Sequence, residues 1–117
     1  MNASELKSEL RSAANAQNAK ALARFFKTGK GEYGEGDRFL GVMTSEQRRI
    51  AKAYFAGRLL PPLRATLAVV RALLHGGYHE ERSTALKILV GQYQKSDDVD
   101  KKRIFDFYID NLRYINN

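Results

Sequence analysis

The sequence predicts an all-α protein built from about six helices. Along most of the 117 residues, apolar side chains recur at intervals of three and four, the spacing of one helix face. Glycine or proline separates these segments, and no segment alternates apolar and polar residues as a half-exposed strand would. The connections are short, which favours antiparallel packing of neighbouring helices. We therefore expect one all-α domain over residues 1–117.

The first two helices are expected near the N-terminus. Leu6 and Leu10 lie one turn apart and predict a helix over residues 4–14. A second helix is predicted over residues 17–28, ended by Gly29 in the left-handed conformation common just after a helix. The expected inner face of this second helix consists of Leu22, Phe25 and Phe26.

A loop rich in glycine follows, with glycines at positions 29, 31, 34, 36 and 41. Ordering such a loop costs much backbone entropy, which favours a shaped loop over a random tether. Its start matches the dinucleotide pattern G-x-G-x-x-G, but a helix precedes it and no helix follows directly, so we reject a nucleotide site. Contact of Lys30 or Tyr33 with a DNA backbone stays open, as does a purely structural turn.

Two further helices are predicted after this loop. Thr44, with Gln47 three residues later, has the spacing of a capping box and opens a helix that runs to Ala56. Pro61 and Pro62 suit the first turn of the next helix. That helix is expected to end at the two glycines 76 and 77, and its apolar face consists of Leu63, Leu67, Val70 and Leu74.

The last two helices complete the predicted fold. The fifth is expected to break near Ser96, and Asp97 or Asp98 can cap the sixth. The apolar face expected for the fifth helix consists of Leu86, Leu89, Val90 and Tyr93. That expected for the sixth consists of Ile104, Tyr108, Leu112 and Ile115. The helix pair over residues 61–95 has about the size of one HEAT unit.

The composition limits the function classes. Twenty Lys and Arg against thirteen Asp and Glu give a net charge of +7, which favours a polyanionic partner. Without cysteine there is no thiol catalyst and no thiolate metal site, which fits a reducing cytoplasm. No segment is long and apolar enough to span a membrane. We expect no cofactor and a cytoplasmic location.

Seven basic residues are candidate phosphate contacts: Lys20, Arg24, Lys27, Lys30, Arg48, Arg49 and Lys52. The first three are spaced to share one face of the second helix, and Arg48 and Lys52 to share a face of the third. Cations arranged in this way neutralise phosphates without reading base sequence. On the residues alone, a solvated outer helix face explains the same pattern equally well.

Other polar pairs carry less chemistry. His75 and His79 are four residues apart, but two glycines separate them and no third ligand lies nearby in the sequence, so we reject a metal site. Asp106 and Asp110 lie one turn apart, but neighbouring basic residues make surface ion pairs the expected outcome. We therefore assign no catalytic residue and no metal ligand.

Three segments resemble the DNA alkylation repair family of AlkD-like glycosylases, which are built from HEAT-like helical repeats. The first runs from Phe25 to Gly41. The others are His79-Glu80-Glu81-Arg82 before Ala85-Leu86-Lys87-Ile88-Leu89-Val90, and Phe105-Asp106-Phe107-Tyr108 before Tyr114-Ile115-Asn116-Asn117. The resemblance implies a HEAT-like α-α stack corresponding to the N-terminal half of the family. It also implies that a concave helical surface cradles the backbone of duplex DNA.

The family hydrolyses the N-glycosidic bond of N3- or N7-alkylated purines, using a Trp-Asp-x-x-Asp stretch that would follow Asn117. This chain has no tryptophan, so we expect it to contribute duplex binding only, as a truncation or as a part completed by another chain. It also departs from the family at residues 43–45, where a proline is usual, and over residues 58–66. The alternative is a helical-repeat module that binds proteins. The terminal repeat of such a stack normally carries a polar outer face. The sixth helix has no such face, so we further expect a dimer or a domain swap.

Overall fold

The structure, a computed structural model, describes residues 1–32 and 34–115. It contains the helices α1 (Ala3–Ser12), α2 (Ala16–Phe25), α3 (Thr44–Tyr54), α4 (Leu63–Leu74), α5 (His79–Gln94) and α6 (Asp98–Asp110), followed by a 3-10 turn, Leu112–Tyr114. No strand occurs in the described ranges, so the all-α prediction with six helices is confirmed. Tyr33, Asn116 and Asn117 lie outside the described residues.

The helix α5 is the centre of the molecule. Both α3 and α4 pack along it, while α1 touches all three and α6 packs against α4 and α5. Buried side chains from these five helices and the segment before α3 form one apolar core. It consists of Leu6, Leu10, Val42, Ile50, Ala51, Tyr54, Val70, Leu73, Leu74, Ala85, Ile88, Leu89, Ile104 and Phe107. By contrast, α2 contributes no fully buried residue and lies at the edge.

The second helix is shorter than predicted. It ends at Phe25, and Lys27 rather than Gly29 takes the left-handed conformation, at a φ of +54°. The reason is a tight reversal in which the Lys27 carbonyl accepts a 2.9 Å hydrogen bond from the Gly34 amide. Phe25 is 75% exposed, so its predicted inner position was wrong, whereas Phe26 stacks against Phe39.

The predicted capping box of α3 was also wrong. Met43 occupies the N-cap, and no side chain caps this helix end. Gln47 is buried and donates from Nε2 to the Val42 carbonyl, 3.0 Å away, so it is held by the preceding loop and not by a cap. The cap predicted for α6 is confirmed, because the Asp97 carboxylate accepts a 2.9 Å hydrogen bond from the Asp100 amide.

The buried face of α5 differs from the predicted apolar face. Val90 and Tyr93 are exposed, and Leu86 is half-buried. Polar side chains take the inner positions because hydrogen bonds satisfy them there. Gln92, for example, accepts from Thr66 at 3.0 Å and donates to the Pro61 carbonyl at 2.9 Å. The buried residues of α5 are Glu80, Glu81, Thr84, Ala85, Ile88, Leu89 and Gln92.

The inner face predicted for the sixth helix was correct at Ile104, which is buried, and at Ile115, which is half-buried against the core. Phe107 is buried in place of Tyr108, and Leu112 is exposed. The helix stops at Asn111, whose side-chain amide donates to the Phe107 carbonyl at 2.8 Å. The helical period therefore does not continue through the following 3-10 turn, and Ile115 ends half-buried.

Two carboxylates of the structure hold the glycine-rich loop against α5. Glu80, at the start of α5, accepts hydrogen bonds from the amides of Leu40, Gly41 and Val42 at 2.9, 2.7 and 3.0 Å. Asp37, within the loop, pairs with Arg82 and with Nδ1 of His79, 3.1 Å away. The loop is therefore shaped, as predicted, and it sets where α3 begins.

Candidate nucleic-acid interface

A shallow groove runs between the parallel helices α3 and α5. Its cavity of about 240 Å³ is lined by Arg48, Ala51, Lys52, Phe55, Lys87, Gly91, Gln94 and Lys95. All four charged residues of this lining are basic: Arg48, Lys52, Lys87 and Lys95. We call these four residues and the surface between them the basic groove. No ion pair with a carboxylate involves any of the four within residues 1–32 and 34–115.

The floor of the basic groove depends on a close helix contact at Gly91. A Cβ atom at this position would lie 2.7 Å from the Phe55 ring, closer than real contacts allow. Because glycine lacks that atom, the ring can pack closely against α5. The Nζ atom of Lys95 then lies 4.3 Å from the ring centroid, within the range of a cation–π contact.

Lys87 differs from the other three groove cations in being partly buried. Its Nζ atom donates to Ser83 Oγ at 2.8 Å and to Gln47 Oε1 at 3.1 Å. Burial, and then the nearby positive charge of Arg48, lower the pKa of Lys87 below its ordinary value of 10.5. The amine is thus fixed in place between α3 and α5.

A second cavity, of about 370 Å³, lies at the N-terminal end of the basic groove. Its lining consists of Leu22, Phe25, Phe26, Phe39, Val42, Met43, Thr44, Gln47, His79, Glu80 and Ser83. Gln47 and Ser83 belong to this lining and both accept hydrogen bonds from Lys87. The aromatic cavity and the basic groove therefore meet at the Lys87 amine.

Of the seven predicted contact residues, Arg48 and Lys52 lie in the basic groove. Lys20 and Arg24 are exposed on the side of α2 opposite Leu22, which lines the aromatic cavity. Lys27 does not extend that helix face as predicted, because α2 has already ended and the chain has turned. Lys30 is exposed in the loop.

Arg49 faces α1 instead of the groove. Its guanidinium lies 2.8 Å from a carboxylate oxygen of Glu46 and 3.9 Å from one of Glu9. These ion pairs offset its charge on the side of α3 that packs against α1. Arg49 therefore does not share a surface with Arg48, although the two are neighbours in sequence.

Sequence reasoning missed Lys87 and Lys95. The two residues are eight positions apart with Gly91 midway, which places all three on one face of a helix. Assigning Val90 and Tyr93, which are exposed, to the inner face of α5 concealed which side of the helix faces α3.

The two histidines contact aromatic rings, and Asp106 forms a surface ion pair. His75 stacks on Tyr114 with ring centroids 4.1 Å apart, and His79 stacks on Phe39 at 4.8 Å. Asp106 forms the surface ion pair predicted for it, at 3.1 Å from Lys102. Within the described ranges, no group of three or more potential ligands is arranged to hold a metal ion.

A family model described as DNA alkylation repair enzyme matches residues 6–117 of this chain. The match covers nearly the whole sequence, and with it the resemblance seen in the three segments and the HEAT-like fold are confirmed. No curated protein matches the chain. None of the described helices is long and apolar enough to cross a membrane.

Proposed function

This chain belongs to the DNA alkylation repair enzyme family, and we propose that it binds the backbone of duplex DNA through the basic groove. The proposal concerns binding. Four cations carried by two packed helices suit phosphates spaced along a strand.

The observation that carries this proposal is the absence of counter-charge in the basic groove. Some basic side chains outside the groove, such as Arg82, Lys102 and Arg103, are paired with carboxylates. In the groove, four cations converge with no acidic residue in the lining. Repulsion from Arg48 is, after burial, the second cause of the lowered pKa of Lys87. A polyanion in the groove relieves that repulsion.

The same observation favours DNA over a purely solvated helix face. A solvated face carries mixed charges that point outward and are separated by water. Here the cations from two different helices point into one concavity. A protein-binding module is the alternative function, and an acidic partner would meet the same charges. The two differ in their salt dependence, because contacts to phosphates release condensed counterions.

The test is to measure binding of a short duplex by fluorescence anisotropy at a series of salt concentrations. We expect a log–log slope of about −3, consistent with three to four phosphate contacts. Replacing Arg48 and Lys52 together by Gln should reduce the slope by about two and weaken binding at every duplex sequence. The matched control is Lys102→Gln with Arg103→Gln, which removes the same charge from α6. No binding at low salt, or equal loss in the control, refutes the proposal.

The other predicted phosphate contacts can be tested in the same salt series. Lys20, Arg24, Lys27 and Lys30 lie on α2 and the loop beyond it, and Arg49 faces α1. We propose that the first four extend the DNA surface past the aromatic cavity, which lies between them and the basic groove. Lys20→Gln with Arg24→Gln should then lower the slope further on a duplex long enough to reach α2, and leave it unchanged on a shorter one.

We also propose that two copies of the chain pair through the apolar surface of α5 and α6, side by side or by exchange of α6. Large apolar residues exposed on this surface are Val90, Tyr93, Phe105, Tyr108, Ile109 and Leu112. Four of them, Val90, Tyr93, Phe105 and Tyr108, line a shallow cavity of about 190 Å³ whose walls are almost wholly apolar. Sedimentation velocity at high micromolar concentration tests this pairing. Tyr108→Lys should shift the protein to monomer, and a wild type that is already monomeric contradicts it.

A further inference from the structure

The amine of Lys87 lies where an electrophile in bound DNA would meet it. Nζ is held between Ser83 Oγ and Gln47 Oε1, at the point where the basic groove opens into the aromatic cavity. The other groove cations, Arg48, Lys52 and Lys95, are exposed. Among them Lys87 alone is held partly buried by hydrogen bonds to both helices, so its amine has a fixed position relative to a strand in the groove.

The surroundings of Lys87 also suit a nucleophile. An amine attacks only in its neutral form, and a lysine in water is almost fully protonated at neutral pH. Partial burial and the adjacent Arg48 guanidinium lower the pKa of Lys87, which raises the neutral fraction. No such shift is needed for a lysine that only neutralises phosphate.

We propose that Lys87 forms a reversible imine with the aldehyde of an abasic deoxyribose in DNA held in the basic groove. This inference rests on the proposed DNA binding. The four ordinary nucleotides of DNA carry no aldehyde, whereas the ring-opened abasic sugar does. Alkylation of a purine ring nitrogen makes the base a better leaving group, so alkylated DNA contains such sugars. The aromatic cavity of about 370 Å³ lies beside Nζ and leaves space next to the amine.

Imine formation requires only the Lys87 amine and the aldehyde. The nitrogen lone pair attacks the C1′ aldehyde carbon and gives a carbinolamine. Loss of water, with the hydroxyl from C1′ and a proton from nitrogen, leaves a carbon–nitrogen double bond. Ser83 Oγ and Gln47 Oε1 accept hydrogen bonds from the amine and so orient it, while the protons lost from nitrogen pass to the former carbonyl oxygen, which leaves as water. Hydrolysis reverses the reaction and releases both partners.

The experiment traps the imine with cyanoborohydride, which delivers hydride to C1′ and leaves a stable secondary amine. The full chain is incubated with a duplex that carries one abasic site, and the adduct is mapped by peptide mass spectrometry. We expect one main adduct, at Lys87. Lys87→Arg should lower the trapping yield by about tenfold or more, because a guanidinium does not form this imine at neutral pH. Lys102→Arg, on α6, is the control.

Each variant is compared at a concentration that saturates a duplex with a tetrahydrofuran abasic analogue, which has no aldehyde. Trapping mainly at Lys52 or Lys95, or an unchanged yield in Lys87→Arg, overturns the proposal. If the analogue duplex is not bound at all, the proposed function and this inference fail together.

A second measurement separates the amine chemistry from DNA binding. The chain is treated with 2-deoxyribose 5-phosphate and cyanoborohydride at several pH values, and modification of each lysine is followed. Lys87 should be modified fastest, and its lead over Lys52 should grow as the pH falls from 9 to about 7, because its neutral fraction falls least. Equal rates at Lys87 and Lys52 across this range overturn the proposal even when DNA is bound.

Discussion

Glu80 accepts a hydrogen bond of 2.7 Å from the amide of Gly41, across 39 positions of sequence. The same carboxylate receives the amides on either side of Gly41, so three successive backbone donors converge on one buried side chain. Because α3 begins at Thr44, this contact fixes the start of α3 against the first turn of α5. Glu80 therefore helps to position α3 against α5, the two helices that form the basic groove.

Glu80→Gln should destabilise the fold by about 2–4 kcal/mol, since an amide nitrogen would face backbone donors and leave them unpaired in the interior. Urea denaturation followed by circular dichroism measures this difference. The control Glu9→Gln removes an exposed carboxylate 3.9 Å from Arg49 and should change the free energy of unfolding by less than about 0.5 kcal/mol. Similar effects for both variants would contradict the role given to Glu80.

Two glycines with the same left-handed backbone should respond differently to alanine. Gly41 and Gly36 have φ values of +84° and +85°. A Cβ at Gly41 would lie 2.0 Å from the carbonyl oxygen of Asn15, whereas none of the described atoms lies within 4 Å of one at Gly36. Gly36→Ala should therefore cost only the conformational strain, about 1–2 kcal/mol. Gly41→Ala should cost at least about 3 kcal/mol by thermal or urea unfolding.

Asp37 should make the stability pH-dependent on the acid side. Burial alone would raise the pKa of Asp37, but hydrogen bonds and charge from Arg82, and then from His79, hold it below its ordinary value of 3.8. Its stabilising contribution is therefore complete above pH 3.8 and is lost as the pH falls through the folded-state pKa.

Replacing Asp37 by Asn should cost about 2–4 kcal/mol at neutral pH, because the charge of Arg82 stays partly buried without this carboxylate. The gap between the wild type and the variant should narrow as the pH falls below 3.8. Denaturation of both proteins across this range measures the gap. Asp106→Asn, at an exposed pair on α6, should show no such convergence, and a pH-independent gap for Asp37→Asn would refute the assignment.

The adjacent residues Phe25 and Phe26 should differ in their effect on stability. Phe26 packs its ring 5.3 Å from that of Phe39 and 5.2 Å from that of His79, whereas Phe25 is 75% exposed. Phe26→Ala should cost about 2–3 kcal/mol by urea unfolding, less than a fully buried phenylalanine. Phe25→Ala should cost less than about 0.5 kcal/mol. The reverse order would mean that the loop packs on α2 in another way.

The helices themselves were predictable from the sequence because their signals are local. Periodic apolar residues located all six, and Asp97 was identified as a cap from its position before a helix. Helix ends that depend on distant contacts were not predictable. Phe25 ends α2 because the chain reverses at Lys27, and Gln47 bonds the Val42 carbonyl in a loop held by Glu80. Neither partner is visible from spacing.

The basic groove was half predictable. Arg48 and Lys52 follow from a one-turn spacing on α3, but their joining with Lys87 and Lys95 depends on which side of α5 faces α3. The side of α5 that faces the core carries buried polar residues such as Gln92, and a hydropathy pattern predicts such residues to be exposed. Polar residues satisfied inside a core are the general reason why an apolar pattern misjudges a helix face.

The absence of a side chain at Gly91 influences the distance between the cations of α3 and those of α5. It lets Phe55 rest on α5, which sets how far Arg48 and Lys52 on one helix stand from Lys87 and Lys95 on the other. A methyl group there would push the ring aside, lift it from beneath Lys95 and spread the two pairs of cations. The match between this surface and a regularly spaced polyanion thus depends on a residue that carries no charge.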